Sequence, residues 1–299
     1  MTGSASGMVT GRANDTPALP SGFTAAAIAT PGGELFVQTS GSGPAVVLLH
    51  GYVQSGDMWG PLAARLRERH TVIVPELRGL GRAPRPVAGY DTWTQALELH
   101  AVVEALGFDR AVIVGHDLGG MVAYAYAAVY RAEVTRLVVM EAAPPGIPPW
   151  SAIASMPGVW HFHFRGPEAE RLVEGRERIY FDRFWNAFAA EPSAIGDAIR
   201  DHYARQYAAP GAMRAGFAHF AAFDQDVRDN QESGSIKLTM PVLAIGGASA
   251  DRAFSATTAA AMREIAVDVH EVIVPKAGHW LLEENPAVVV KAVSEFLEA

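Results

Sequence analysis

Short apolar runs alternate with amphipathic stretches along most of this chain, and that alternation predicts the order of its elements. Residues 23–30 and 35–39 have strand character and are joined at Pro31-Gly32-Gly33, which predicts an opening hairpin. Residues 45–50 form an unbroken apolar run, as expected of a strand buried on both faces of a parallel sheet. Residues 61–69 mix apolar and charged positions at helical spacing, 71–74 is again strand-like, and 92–106 places Trp93, Ala96, Leu97, Val102, Val103 and Leu106 on one helical face. Strands at 111–115 and 134–140 bracket a helix-prone segment rich in Ala, Val and Tyr. This succession predicts a doubly wound, mostly parallel α/β sheet.

Past Glu141 the pattern changes. Ala142-Ala143-Pro144-Pro145-Gly146-Ile147-Pro148-Pro149 breaks the alternation, and residues 151–230 are aromatic, charged and helical without a clear strand. Sheet character resumes at 241–246, followed by a helix over 253–265, a strand over 267–274 and a helix over 286–297. The expected organisation is a disordered tail over 1–22, a core made of 23–142 and 231–299, and an inserted helical cap over 143–230.

Composition narrows the partners. With 299 residues, 49% of them hydrophobic, the chain can bury a large core. A net charge of −8, with no basic run, argues against a nucleic-acid partner. The absence of cysteine removes disulfides and thiolate chemistry and fits a cytoplasmic location. The first 22 residues hold no apolar stretch long enough for a signal peptide or a membrane span, so no membrane partner is expected. His, Asp and Glu do not fall at metal-ligand spacing, and no glycine-rich phosphate loop follows the first strand, so neither metal nor cofactor is expected.

The chemistry concentrates in Gly115-His116-Asp117-Leu118-Gly119-Gly120, where the apolar strand ends abruptly and a helix begins. A strand-to-helix turn this sharp exposes its central side chain and needs small neighbours, the logic of a nucleophile elbow. An Asp would also cap the helix starting at Leu118, but a cap accounts for neither the glycines nor a distant histidine motif. At the apex an ionised carboxylate attacks an alkyl carbon, where a serine alkoxide would attack an acyl carbon.

Together with His50-Gly51-Tyr52 upstream and Gly278-His279-Trp280 near the end, this elbow resembles the aspartate-nucleophile branch of the α/β-hydrolase superfamily, which holds epoxide hydrolases and haloalkane and haloacetate dehalogenases. The resemblance spans residues 23–299 with the motifs in family order. It implies Asp117 as nucleophile and His279 as the base that activates water. Glu141 or Asp251 would orient His279, with Glu141 favoured, and the backbone donors of Tyr52 and Leu118 would form the oxyanion hole.

Departures from each pattern separate the substrates. Leu118 and Tyr52 stand where haloalkane dehalogenases carry halide donors, and Leu118 and Met121 stand where haloacetate dehalogenases place arginines. Val159-Trp160-His161-Phe162 resembles the cap segment of an epoxide hydrolase subgroup that opens the ring with a histidine and a tyrosine, which makes His161 the expected donor. The second donor position falls on Phe220, which cannot donate; His219, His163, Tyr203 and Tyr207 are its candidate replacements. Around the site, His50, Trp160, Phe162, His219, Phe220 and Trp280 are expected to line a pocket for a small apolar or aromatic epoxide. The resemblance also leaves open a homodimer, a dehalogenase using the same nucleophile, and a non-hydrolytic binding protein on the same fold.

Overall fold

The computed structural model describes residues 16–248 and 255–299. Its strands are β1 (Thr24–Thr30), β2 (Gly33–Ser40), β3 (Ala45–Leu49), β4 (Thr71–Pro75), β5 (Ala111–His116), β6 (Val134–Met140), β7 (Val242–Gly247) and β8 (Val269–Val274). They form one sheet in the order β1-β2-β4-β3-β5-β6-β7-β8. The β1–β2 and β2–β4 pairs are antiparallel and all the others parallel. Every residue of β3 and β5 is buried, which matches their unbroken apolar runs.

Helices α1 (Gly60–Leu66), α2 (Thr92–Ala105) and α3 (Leu118–Val129) connect the first strands. In α2 most of the expected face points inward, with Ala96, Val102 and Val103 buried and Trp93 and Leu106 packed against the core. Leu97 is exposed, whereas Gln95 and Glu98 point inward because Glu98 pairs with the buried Arg78 and Gln95 bonds the Tyr90 carbonyl. Helix α3 is buried from Leu118 to Ala128, and its tyrosine hydroxyls are tied off by Ser233 and Glu133.

Between β6 and β7 lie only helices among the described elements: α4 (Trp150–Ala154), α5 (Pro167–Val173), α6 (Glu177–Phe188), α7 (Asp197–Tyr207), α8 (Ala212–Ala221) and α9 (Phe223–Ser233). Aromatic side chains join this insertion into one cluster, for example Phe162 and Phe223 at 5.0 Å and Phe181 and Tyr207 at 4.7 Å between ring centres. The chain then returns through β7, α10 (Ser255–Ile265), β8, α11 (Leu281–Glu284) and α12 (Pro286–Glu298). No described helix is long and apolar enough to cross a membrane.

Of the tail expected to be disordered, residues 1–15 lie outside the described residues, but 16–22 are anchored. The Ser21 carbonyl accepts from Arg67 at 2.5 Å, the Gly22 carbonyl accepts from Ser40 at 3.1 Å, and Leu19 packs on the core. Partners at the C-terminal cap of α1 and on β2 hold a segment that looks featureless in composition.

Candidate active site

The elbow between β5 and α3 is a strained turn. Asp117 has φ 53° and ψ −124°, a conformation that costs a non-glycine residue about 1–3 kcal/mol. Backbone bonds hold it: Asp117 N–H donates to the Met140 carbonyl at 3.0 Å, and its own carbonyl accepts from Gly120 at 2.9 Å and Met121 at 3.2 Å. The glycines make the turn possible. A Cβ on Gly119 would stand 2.2 Å from the Leu49 carbonyl, and one on Gly51 would stand 2.5 Å from Asp117 Cβ. The side chain makes no capping bond to α3, so the carboxylate is left for other work.

Each carboxylate oxygen has its own partner. Oδ1 accepts the Tyr52 N–H at 2.7 Å, and Oδ2 lies 3.6 Å from His279 Nε2. On the other side of the imidazole, Nδ1 donates to Glu141 Oε2 at 3.4 Å, while Glu141 Oε1 accepts the Gly247 N–H at 2.7 Å. Glu141 directly follows β6 with φ 47°, its own N–H donating to the Ile245 carbonyl at 3.0 Å. Asp251, the alternative orienting acid, lies outside the described residues.

The His279 loop is tied from two directions. Its N–H donates to the Phe188 carbonyl at 2.8 Å, and its carbonyl accepts from His116 Nε2 at 2.8 Å. His116 is therefore the Nε2–H tautomer, and burial followed by the neighbouring His279 charge pushes it down to about 3, which keeps it neutral. Burial also pulls His279 down. The Glu141 hydrogen bond and the charges of Asp117 and Glu141 together outweigh it, so His279 sits above the usual histidine value.

Above Asp117 the insertion closes a small cavity of about 40 Å³. Asp117, Glu141, His161, His279 and Tyr52 line it, with an apolar wall of Trp150, Phe162, Phe184, Phe188, Phe220 and Trp280. No Lys or Arg is among the lining residues. His161 is buried between Phe184 and Phe220, at 4.8 and 5.2 Å between ring centres, and its Nδ1 has no hydrogen-bond partner among the described residues. Burial, and then the charges of His279 and Arg183, lower it to about 3, so its imidazole is neutral.

The cavity brings together most of the expected site, and three expected lining residues fall elsewhere. His50 is fully buried against Glu76 at 3.0 Å. His219 donates from Nε2 to the Arg78 carbonyl at 2.9 Å and faces Gln95 with Nδ1. Trp160 is exposed and stacks on Phe184 at 6.1 Å between ring centres. Each lies within two residues of a cavity-lining residue, but partners elsewhere in the chain take up its ring. Leu118 begins α3 beside Asp117 without lining the cavity by its side chain. Of the candidate replacements for Phe220, none lines the cavity: His163 is exposed, Tyr203 donates to Glu283, and Tyr207 accepts from Val53 N–H.

Other contributors carry little signal in the sequence. Phe184 and Phe188 line the cavity four residues apart on α6, a spacing that marks one helix face without saying what it faces. The tether from His116 has a visible sign only in the position of that residue next to Asp117. Among the described residues, no three His, Asp or Glu side chains gather as a metal site.

Comparison with known proteins agrees with this architecture. Residues 44–286 match the α/β hydrolase fold family. The soluble epoxide hydrolase of Corynebacterium sp. (strain C12) is 32% identical over 265 residues, covering 86% of this chain and 91% of that protein. Among solved structures, Cfl2 from Burkholderia cenocepacia superposes with a TM-score of 0.84 at 32% identity over 92% of this chain and 96% of its own. The epoxide hydrolase CorEH superposes with a TM-score of 0.82 at 30% identity over 92% of this chain and 99% of its own. On the extent of these matches, this chain belongs to the α/β-hydrolase fold family.

Proposed function

We propose that this hydrolase opens a compact apolar epoxide to a vicinal diol through an ester on Asp117. The observation that carries the reading is the split environment of the Asp117 carboxylate: Oδ1 on the Tyr52 N–H and Oδ2 at 3.6 Å from His279, under an aromatic roof. Oδ2 attacks an epoxide carbon and the carbon–oxygen bond breaks, while His161 donates a hydrogen bond to the departing alkoxide, which takes its proton from solvent. Water then attacks the ester carbonyl and His279 accepts its proton, held in orientation by Glu141. Oδ1 has become the carbonyl oxygen and keeps the Tyr52 N–H, joined by Leu118 N–H, as its negative charge develops. Collapse expels the second diol oxygen, which takes the proton from His279, and the Asp117 carboxyl gives its own proton back to solvent, balancing the one taken up by the first alkoxide. The epoxide hydrolases among the relatives support this substrate class, and a wall without Lys or Arg offers no clamp for the carboxylate of a haloacid.

The test is a single turnover in ¹⁸O-labelled water. The label is expected in the peptide carrying Asp117 and absent from the diol; label in the diol alone would mean direct attack by water. Halide release from haloalkanes or haloacids without diol formation would move the substrate to carbon–halogen bonds.

Two substitutions test the roles around the nucleophile. His161→Phe keeps the packing with Phe184 and Phe220 but removes the donor, so ester formation is expected to slow about 10²-fold in rapid-quench mass measurements. An unchanged rate would reduce His161 to a packing residue. Glu141→Gln is expected to lower kcat about 10²-fold by weakening the hold on His279, with Asp251→Asn within about twofold of the parent; the opposite ranking would transfer the role to Asp251.

A further inference from the structure

The peptide that supplies the Tyr52 donor is held from both sides. Tyr52 N–H donates to Asp117 Oδ1 at 2.7 Å, and the next N–H, that of Val53, donates to the Tyr207 hydroxyl at 2.9 Å. Val53 has φ 68°, a left-handed conformation that a β-branched residue rarely adopts, so this loop needs an outside restraint. Tyr207 supplies one from the last turn of α7, fully buried, with its ring edge-on to Tyr52 at 5.6 Å. Gly216 on α8 leaves room for the two rings: a Cβ there would stand 2.8 Å from Tyr52 Cε2. The same helix reaches the same loop again. His202 Nε2 lies 3.0 Å and Gln206 Nε2 3.3 Å from Asp57 Oδ2, and Tyr203 shares Glu283 with Gln54.

We propose that Tyr207 is a positioning residue, through which the seated helical insertion sets the direction of the Tyr52 donor. The consequence for catalysis rests on the proposed ester mechanism. The donor matters most when the ester carbonyl becomes an oxyanion, so loss of the hydroxyl slows ester hydrolysis more than ester formation. It also makes the donor complete only while α7 is packed down on the loop.

Tyr207→Phe removes only the hydroxyl, and Tyr203→Phe removes a hydroxyl from the same helix that does not reach the donor peptide. Two readouts are compared in the full chain. Mass-resolved amide exchange is expected to show faster exchange at Tyr52 and Val53 in Tyr207→Phe alone. Single-turnover mass analysis is expected to show ester hydrolysis slowed about ten- to hundredfold, with ester formation within about threefold, in Tyr207→Phe. Tyr203→Phe is expected to keep both rates within about threefold. Equal loss in both steps, or exchange at Tyr52 and Val53 unchanged from the parent, would overturn the proposal. Absence of any ester in parent and variant together with the expected change in exchange would sink the mechanism and leave the restraint standing.

Discussion

Asp117→Asn is expected to abolish turnover, lowering kcat/KM by about 10⁴-fold or more, as loss of a covalent nucleophile does elsewhere. The amide keeps the size of the carboxylate, and its oxygen can still accept the Tyr52 N–H that Oδ1 takes at 2.7 Å. Asn also tolerates positive φ, so the elbow at φ 53° is retained and the melting temperature is expected to stay within a few degrees. What disappears is the negative charge on which the proposed attack on carbon depends. A second consequence follows from the pairing with His279. The Asp117 charge is one of the influences that hold the imidazole above its usual value, opposed by burial. Removing it leaves burial less opposed, and the His279 pKa is expected to fall, read by NMR titration of the imidazole. Retained turnover, or a His279 pKa that does not move, would detach the two residues from each other.

Much of this arrangement is legible in the residues because the motifs are short and the backbone leaves them few choices. The turn around Asp117 needs glycines at contacts of 2.2–2.5 Å, so Gly51 and Gly119 advertise the elbow from their places in the sequence alone. The buried parallel strands advertise themselves by unbroken apolar runs, β3 and β5 above all. Glu141 stands out by its place directly after β6, and the fold puts it 3.4 Å from His279. The insertion is legible as helical but not in phase. Trp160 and Phe162 lie on a short 3-10 turn over Pro157–Phe162, kinked at Val159, which follows no regular helical period, and hydropathy does not tell the two apart. The histidines behave similarly: His50 and His219 satisfy backbone and side-chain partners far along the chain, namely Leu77 with Glu76 and Arg78 with Gln95. Such pairings are long-range, and no local pattern carries them. The bond from Tyr207 to Val53 spans 154 positions and belongs to the same class.

His279→Gln is expected to separate the two halves of the reaction. In the proposed mechanism ester formation needs Oδ2 and a donor for the departing oxygen, neither of which is His279, so its rate is expected to stay within about tenfold of the parent. Ester hydrolysis needs a base, and its loss is expected to slow that step by about 10³-fold. The variant then accumulates protein heavier by the mass of one epoxide, on the peptide containing Asp117. In the parent, hydrolysis of the ester is expected to rise with pH until His279 is neutral, since only the neutral imidazole accepts a proton. Esterification removes the Asp117 charge, one of the causes that raise the His279 value. The midpoint of that rise should therefore lie below the His279 pKa of the free enzyme, so the base becomes available at the step that needs it. His279→Gln has no such titration, and its residual hydrolysis is expected to show no limb in that range. A variant that binds an epoxide, gains no mass and still turns over would place the base on another residue.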